Sequence, residues 1–277
     1  MSRAPDALSL PGPGGTRFAE IRWFAEIDST NSYLSSEASA GAPEGVVVVA
    51  DHQRAGRGRL GRTWLAPAGA NLLFSVLLRP ELAPAELHLC TGVVALSTVA
   101  ACQRVAGVAP EVKWPNDLMI EGEKLAGILA EVAPGPAGRA SVVVGVGLNV
   151  NWPEPGGSQG VSVPRDPGAT GATGFAATSL WRASGARHDR RDLLEAILLD
   201  LDRRVADLGS ARGRRVQEAD LRRSCSTLGR TVRIWLGDTP VDGMARDLTS
   251  EGHLVVDTVN GPVIVSAGDV EHLRELA

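Results

Sequence analysis

Gly45-Val46-Val47-Val48-Val49-Ala50-Asp51-His52-Gln53-Arg54-Ala55-Gly56-Arg57-Gly58-Arg59-Leu60-Gly61-Arg62-Thr63-Trp64 runs from an unbroken apolar segment into a loop of glycine and arginine. The valine run is continuous and does not alternate with polar residues, so Gly45 to Ala50 is expected to be a strand buried on both faces. The loop that it delivers has the opposite character. From Asp51 to Trp64 four arginines stand against one aspartate, a local charge of +3 in a chain whose formal total is −4. Glycines at 56, 58 and 61 let the backbone come close to a ligand, so main-chain N–H groups and guanidinium forks can converge on phosphate or carboxylate oxygens.

Two familiar phosphate motifs match this loop in spelling, and both fail on context. Gly56, Gly58 and Gly61 satisfy G-x-G-x-x-G, yet the dinucleotide fingerprint must pass from a strand directly into a helix. Here Pro67 and Gly69 occupy the place where the helix should grow. Gly56 to Thr63 also reads G-x-x-x-x-G-R-T, a P-loop with arginine in place of lysine and the same missing helix. Taken alone, the stretch also admits a solvated basic loop or an unspecific nucleic-acid patch.

The bulk properties narrow the choice. With 277 residues, 44% of them hydrophobic and 22% charged, the chain has room for one sizeable core and a small second domain. A pI near 5.8 argues against a general polyanion or membrane-surface binder, which needs a broad basic surface. Cys90, Cys102 and Cys225 are odd in number and far apart, which indicates neither a disulfide framework nor a zinc site and fits inert thiols in a reducing cytosol. Residues 1–17, rich in proline, glycine and small side chains, read as a loose terminus without the apolar core of a signal peptide. Leu87 to Ala106 is too interrupted by polar residues for a membrane span and reads as a buried helix.

Outward from the loop, Phe18 to Ile27 reads as a strand, and Asp28-Ser29-Thr30-Asn31 offers capping side chains for a helix to about Ala40. Asn71 to Arg79 reads as the next strand and Pro84 to Ala106 as a long packed helix. Lys113-Trp114-Pro115-Asn116-Asp117 groups a cation, an amide and a carboxylate, which suits work on ATP and equally fits a structural turn. Lys124 opens a strand to Val132, and Ala140 to Val150 returns as its antiparallel partner, with Gly145 and Gly147 marking close backbone approach. Trp152 to Gly174 is expected to be a surface loop. After Asp189, the residues Leu194, Ile197, Leu198, Leu201, Val205 and Leu208 form one helical stripe. From Ser224 onward four short strands are expected, with Asn260-Gly261 as a type I′ hairpin turn, giving a small β-barrel-like domain.

Taken together, Ser29-Thr30-Asn31, Gln53 with Gly56 to Arg62, Lys113 to Asp117, Lys124-Leu125-Ala126-Gly127-Ile128-Leu129 and Gly145-Val146-Gly147-Leu148-Asn149 closely resemble the biotin protein ligases, in order and spacing, over roughly residues 20 to 277. The resemblance implies an α+β fold. A mixed sheet with helices, similar to class II aminoacyl-tRNA synthetases, would occupy residues 18–223, and an SH3-like barrel residues 224–277. It implies that ATP with Mg²⁺ activates biotin to biotinyl-5′-adenylate, and that biotin then passes to a lysine of a biotin carboxyl carrier domain of an acyl-CoA carboxylase such as acetyl-CoA carboxylase.

By position in the motifs, Ser29, Thr30, Asn31, Gln53, Gly56, Arg57, Gly58 and Arg59 resemble the family's biotin contacts, and Lys124 the residue that reaches biotin's carboxylate and the α-phosphate. Arg59, Trp64, Lys113, Asn116 and Asn149 resemble nucleotide contacts, and Asp117 the carboxylate beside the reacting centre. Metal ligands are not indicated. Only some twenty residues precede the first strand, too few for the helix-turn-helix of the family's bifunctional branch, so a cytoplasmic enzyme without DNA or membrane partners is expected. Lipoate ligases share the architecture with a different glycine-rich loop. A non-catalytic nucleic-acid binder is a third reading, opposed by the acidic pI and the few dispersed aromatics.

Overall fold

The computed structural model describes residues 7–135, 140–156, 176–236, 239–266 and 268–272. Its larger part runs β1 (Ala7–Pro11), β2 (Glu20–Ile27), α1 (Thr30–Ser39), β3 (Val47–Gln53), β4 (Leu72–Leu78), α2 (His88–Ala106), β5 (Glu111–Lys113), β6 (Asp117–Ile120), β7 (Glu123–Pro134), β8 (Ala140–Leu148), α3 (Leu180–Ser184), α4 (Arg190–Asp207) and α5 (Ala211–Ser224). The eight strands form one sheet in the order β1-β2-β3-β4-β8-β7-β6-β5. All neighbours are antiparallel except β2 and β3. A second sheet holds β9 (Thr231–Leu236), β10 (Thr239–Leu248), β11 (Leu254–Thr258), β12 (Gly261–Val265) and β13 (Asp269–His272), in the order β12-β11-β10-β9-β13.

The valine run explains the layering. Successive side chains of a strand point to opposite faces. Val47 and Val49 accordingly enter one core, while Val46, Val48 and Ala50 enter another. The first core lies between the sheet and the long helices α2 and α4, where Leu194, Ile197, Leu198, Leu201, Val205 and Leu208 are all buried as their spacing predicts. The second is smaller. There Leu34 and Ala38 of α1 pack with Phe24, Ile27, Leu77 and Val143. The apolar stretch Pro84–Ala106 is long enough to cross a membrane by composition, and here it is mostly buried against the sheet and α4. Cys90, Cys102 and Cys225 are buried and unpaired, and burial pushes the Cys90 and Cys102 thiols up to about 12, so they are inert as expected.

Several expectations need correction. Part of the terminus expected to be loose is an edge strand: Ala7–Pro11 pairs along β2, and Arg17 is tied to Asp202 and Glu44. β1 is almost wholly exposed and held by main-chain bonds, so its composition gave no apolar alternation to read. Helix α5 also escaped the pattern, because among its residues only Gln217 is fully buried. Polar anchors hold it: the Ser210 cap, Arg214 on Glu86, and Arg204 and Asp207 on Gln217. The C-terminal sheet has a fifth strand, β13, beside β9. Its β11–β12 turn spans Val259 and Asn260, and Gly261 alone has positive φ (106°), so this is not the type I′ turn expected. The loop expected over 152–174 falls mostly outside the described residues.

Leu198 is fully buried at the centre of the α2–α4 contact. Leu198→Ala should lower unfolding stability by about 2 to 5 kcal/mol through lost transfer energy and a cavity. A urea midpoint equivalent to a change under about 1 kcal/mol would place the main core elsewhere.

Candidate functional site

The α1 face of the sheet is apolar at one end only. From the first turn of α1 outward, the neighbouring strands β4, β8 and β7 present Ser75, Gly145, Gly147 and Gly127, with Ser75 opposite Gly145 and Gly127 opposite Gly147. A Cβ on Gly145 would lie 2.0 Å from Asn31 Oδ1, and one on Gly147 would lie 2.4 Å from the Trp64 ring. This bare strip lets an amide and an indole rest directly on the sheet.

At one end of the strip is a buried polar nest. Ser29, Thr30 and Asn31 start α1 and are each at most 4% exposed. The Ser29 hydroxyl caps the helix by accepting from Ser32 N. Gln53 Oε1 accepts from Thr30 N at 2.8 Å and from Thr30 Oγ1 at 3.1 Å. The Ser75 hydroxyl lies 2.8 Å from Thr30 Oγ1 and 2.6 Å from Asn31 Oδ1. Asn31 Nδ2 donates to Leu129 O and to Glu131, and Glu131 also accepts from Arg57 at 2.9 Å. Hydroxyls, amides and a carboxylate thus form one connected chain, the arrangement that fixes polar side chains for recognition.

The arginine loop is a folded ribbon and not a helix, which bears out the rejection of both phosphate motifs. Gly58 N donates to Arg62 O, Trp64 N donates to Gly56 O, and a tight turn at Arg59–Gly61 places Leu60 at φ 56°. Its two ends meet at Asp51. Gly69 N donates to the Asp51 carbonyl, while the Asp51 carboxylate accepts from Trp23 Nε1 at 2.9 Å and Arg190 at 2.8 Å. Gly56 is required by close approach, since a Cβ there would sit 2.6 Å from Trp64 O. Arg57 reaches Glu131 and Arg59 reaches Asn116 Oδ1 at 3.4 Å, whereas Arg54 turns outward to Glu26 and Asp28.

At the other end of the strip, Lys124 Nζ is 2.6 Å from Asp117 Oδ1 and 5.7 Å from the centre of the Trp64 ring. Both side chains of the ion pair are about four-fifths buried, so their charges are little screened. Asn149 is 4% exposed and sits beneath, its Oδ1 accepting from Asn71 and its Nδ2 donating to Lys124 O. Asn116 Nδ2 donates to Ile128 O. Lys113 is buried opposite Asp117 across the β5–β6 pair. Among the described residues none accepts from the buried Trp64 Nε1, and an unmet buried donor costs about 1 to 3 kcal/mol.

The structure therefore gathers the residues singled out in the sequence around one strip: a polar nest, the four cations Arg57, Arg59, Lys113 and Lys124, a carboxylate and an aromatic plate. Such a site can hold a polar ring in the nest and bring two anions together near Lys124. Sequence reasoning missed Ser75, Glu131, Asn71 and Arg190. Ser75 had a signal, as the only polar side chain in the buried strand Leu72–Leu78. Glu131 and Arg190 had none, because their partners are 74 and 139 residues away.

Comparison with known proteins gives a consistent picture. Residues 23–151 match the model of the biotin/lipoate A/B protein ligase family, and residues 227–273 match that of the biotin protein ligase C-terminal domain. The chain is 39% identical over 267 residues to a biotin–[acetyl-CoA-carboxylase] ligase of Mycobacterium tuberculosis, covering 94% of this chain and 91% of that protein. It is 30% identical to one of Paracoccus denitrificans, covering 89% and 98%. Among solved structures, biotin protein ligase from Aquifex aeolicus in complex with biotin and ATP is similar with a TM-score of 0.74 and 26% identity, over 92% of this chain and 99% of that one.

Because the strip has no room for a methyl, Gly145→Ala must displace Asn31 and leave its buried amide with broken partners. The expected cost is about 1 to 3 kcal/mol of stability, read by thermal or urea unfolding. A Gly145→Ala protein as stable as the wild type would show that Asn31 yields without loss.

Proposed function

The chain belongs to the biotin protein ligase family, and we propose that it activates biotin with ATP to biotinyl-5′-adenylate and then passes the biotinyl group to a lysine of a biotin carboxyl carrier domain. It is an ATP-dependent biotin–[acetyl-CoA-carboxylase] ligase. The observation that carries the residue assignment is the largely buried Lys124–Asp117 pair beside Trp64, at the end of the strip opposite the polar nest. Biotin's ring is a compact polar urea, and its partners are Ser29, Thr30, Asn31 and Gln53, with Gly56, Arg57, Gly58 and Arg59 closing over it.

In the first step a carboxylate oxygen of biotin bonds to the α-phosphorus of ATP and pyrophosphate leaves. Two anions must meet, and Lys124, Arg57 and Arg59 offset their repulsion and stabilise the charge that builds on phosphorus. Trp64 gives the nucleotide an aromatic plate and an N–H donor, and Asn116 and Lys113 complete that side. Asn149 contributes by holding the Lys124 backbone. In the second step the carrier's amine bonds to the acyl carbon and AMP leaves, with Asp117 orienting the amine. Folding of the loop over the adenylate keeps water from the mixed anhydride. Mg²⁺ arrives as part of the MgATP substrate. Among the described residues no group of three or more His, Cys, Asp or Glu is placed to hold a metal.

Within this reading residues 18–223 form a catalytic domain similar to class II aminoacyl-tRNA synthetases, and residues 224–277 an SH3-like barrel. Buried, unpaired cysteines support a cytoplasmic setting. The C-terminal match favours biotin over lipoate as the acid. Incubation with ATP, a purified carrier domain and either labelled acid tests this, with biotin alone expected in the product. Incorporation of lipoate instead would overturn the assignment.

Lys124→Ala should fold normally and slow adenylate formation by about 2 to 4 kcal/mol, or roughly thirtyfold to a thousandfold. Pyrophosphate release within a few-fold of wild type would remove Lys124 from the reacting centre.

A further inference from the structure

Resting on that ligase reading, we infer that Trp114 is a positioning residue through which the C-terminal barrel sets the geometry of Asn116 and Asp117. The stretch Lys113 to Asp117 serves two places at once. Trp114 is 6% exposed, and its ring completes the core of the barrel, packed with Val232, Ile234, Leu248 and Leu254. Two and three residues later, Asn116 and Asp117 turn into the site, where they meet Arg59 and Lys124.

Polar contacts fix the same seam. Val112 O accepts from Ser226 N at 2.8 Å, and the buried Thr227 hydroxyl accepts from Trp114 N at 3.0 Å. The indole Nε1 donates to Gly252 O at 3.0 Å. Gly252 lies close against α2: its φ is 75°, and a Cβ there would lie 2.4 Å from the His88 ring at the start of that helix. The tip of the β10–β11 connection is thus wedged between α2 and Trp114. On the site side Asn116 exchanges hydrogen bonds with Ile128 through both its amide and its backbone carbonyl.

Between these two anchorages lies a cavity of about 320 Å³, lined by Arg59 of the arginine loop, Asn116 of the β5–β6 turn and Ile128 of β7, and by Gly252, His253 and Ser266 from the C-terminal part. A barrel of about fifty residues builds only a marginal core alone, and here it borrows the missing side chain from the reacting strands. Any shift of the barrel therefore moves Trp114, and the chain carries the movement to Asn116 and Asp117. The polar nest at Thr30, Gln53 and Ser75 is outside this linkage.

The test uses the full-length protein and three variants: Trp114→Phe, Trp114→Ala and Gly252→Ala. Small misplacements of reacting groups cost up to about a hundredfold in rate. Trp114→Ala should lower kcat for pyrophosphate release by about tenfold to a hundredfold and raise KM for ATP, while biotin affinity measured without ATP stays within about threefold. Trp114→Phe keeps an aromatic ring in the core but loses the bond to Gly252 and part of the indole's packing, so it should fall between, and it serves if the alanine variant does not fold. Gly252→Ala, which pushes on the seam from the barrel side, should reproduce the split between ATP and biotin. A purely structural role would instead weaken biotin and ATP binding in step with the melting temperature, and this outcome overturns the proposal. So does a folded Trp114→Ala with both ATP constants within about twofold of wild type. Hydrogen exchange of residues 111–120, faster in each variant than in the wild type, reports the linkage without turnover. Failure of the wild type to ligate biotin would count against the ligase reading and leave that exchange readout to decide the coupling.

Discussion

The site depends on a strip of sheet without side chains. Gly127, Gly145 and Gly147 keep three neighbouring positions of β7 and β8 bare, and both Asn31 and Trp64 press closer to that backbone than any Cβ would permit. The cost of glycine in a strand, lost packing and greater chain entropy, is offset by the depth of the sheet around it. Val142, Val144, Val146 and Leu148 alternate with these glycines along β8 and bury their side chains on the opposite face. One strand thereby supplies a dense core on one side and a clear floor on the other.

Electrostatics follow from that floor. The chain is acidic as a whole, yet its arginine loop folds back over the strip, and each cation that faces the site meets a specific acceptor: Arg57 on Glu131, Arg59 on Asn116, Lys124 on Asp117. Pairing holds the cations in place without dispersing them into solvent. A ligand with its own oxygens competes for partners that are already oriented, which limits the reorganisation needed as charge develops. Asp51 joins both ends of the loop and fastens them to β2 and α4, so the ribbon stands on a fixed base.

The two sheets share a boundary at residues 112–117. β5 and β6 are short, of three and four residues, and a short strand at the edge of a sheet, as β5 is, is weakly held by its own ladder. The C-terminal sheet completes what the ladder lacks, taking up Val112 by hydrogen bonds and Trp114 by burial.

Much of this was legible in the amino-acid order alone. The valine run announced a doubly buried strand, the stripe from Leu194 to Leu208 announced α4, and five short motifs in register announced the family and named side chains that the fold gathers around one strip. These are local signals: periodicity, composition and spacing. What escaped has no local signal. β1 is an exposed edge held by main-chain pairing, and α5 is held by ion pairs and a cap with no apolar stripe. Glu131 and Arg190 gained their places from partners far along the chain. Trp114 reads in sequence as part of a turn beside the site, and only folding put its ring into the barrel core. Residue type and order already set which side chains could do chemistry. Folding set which of them share a partner, because a contact between distant segments depends on how the sheet stacks them and not on their spacing.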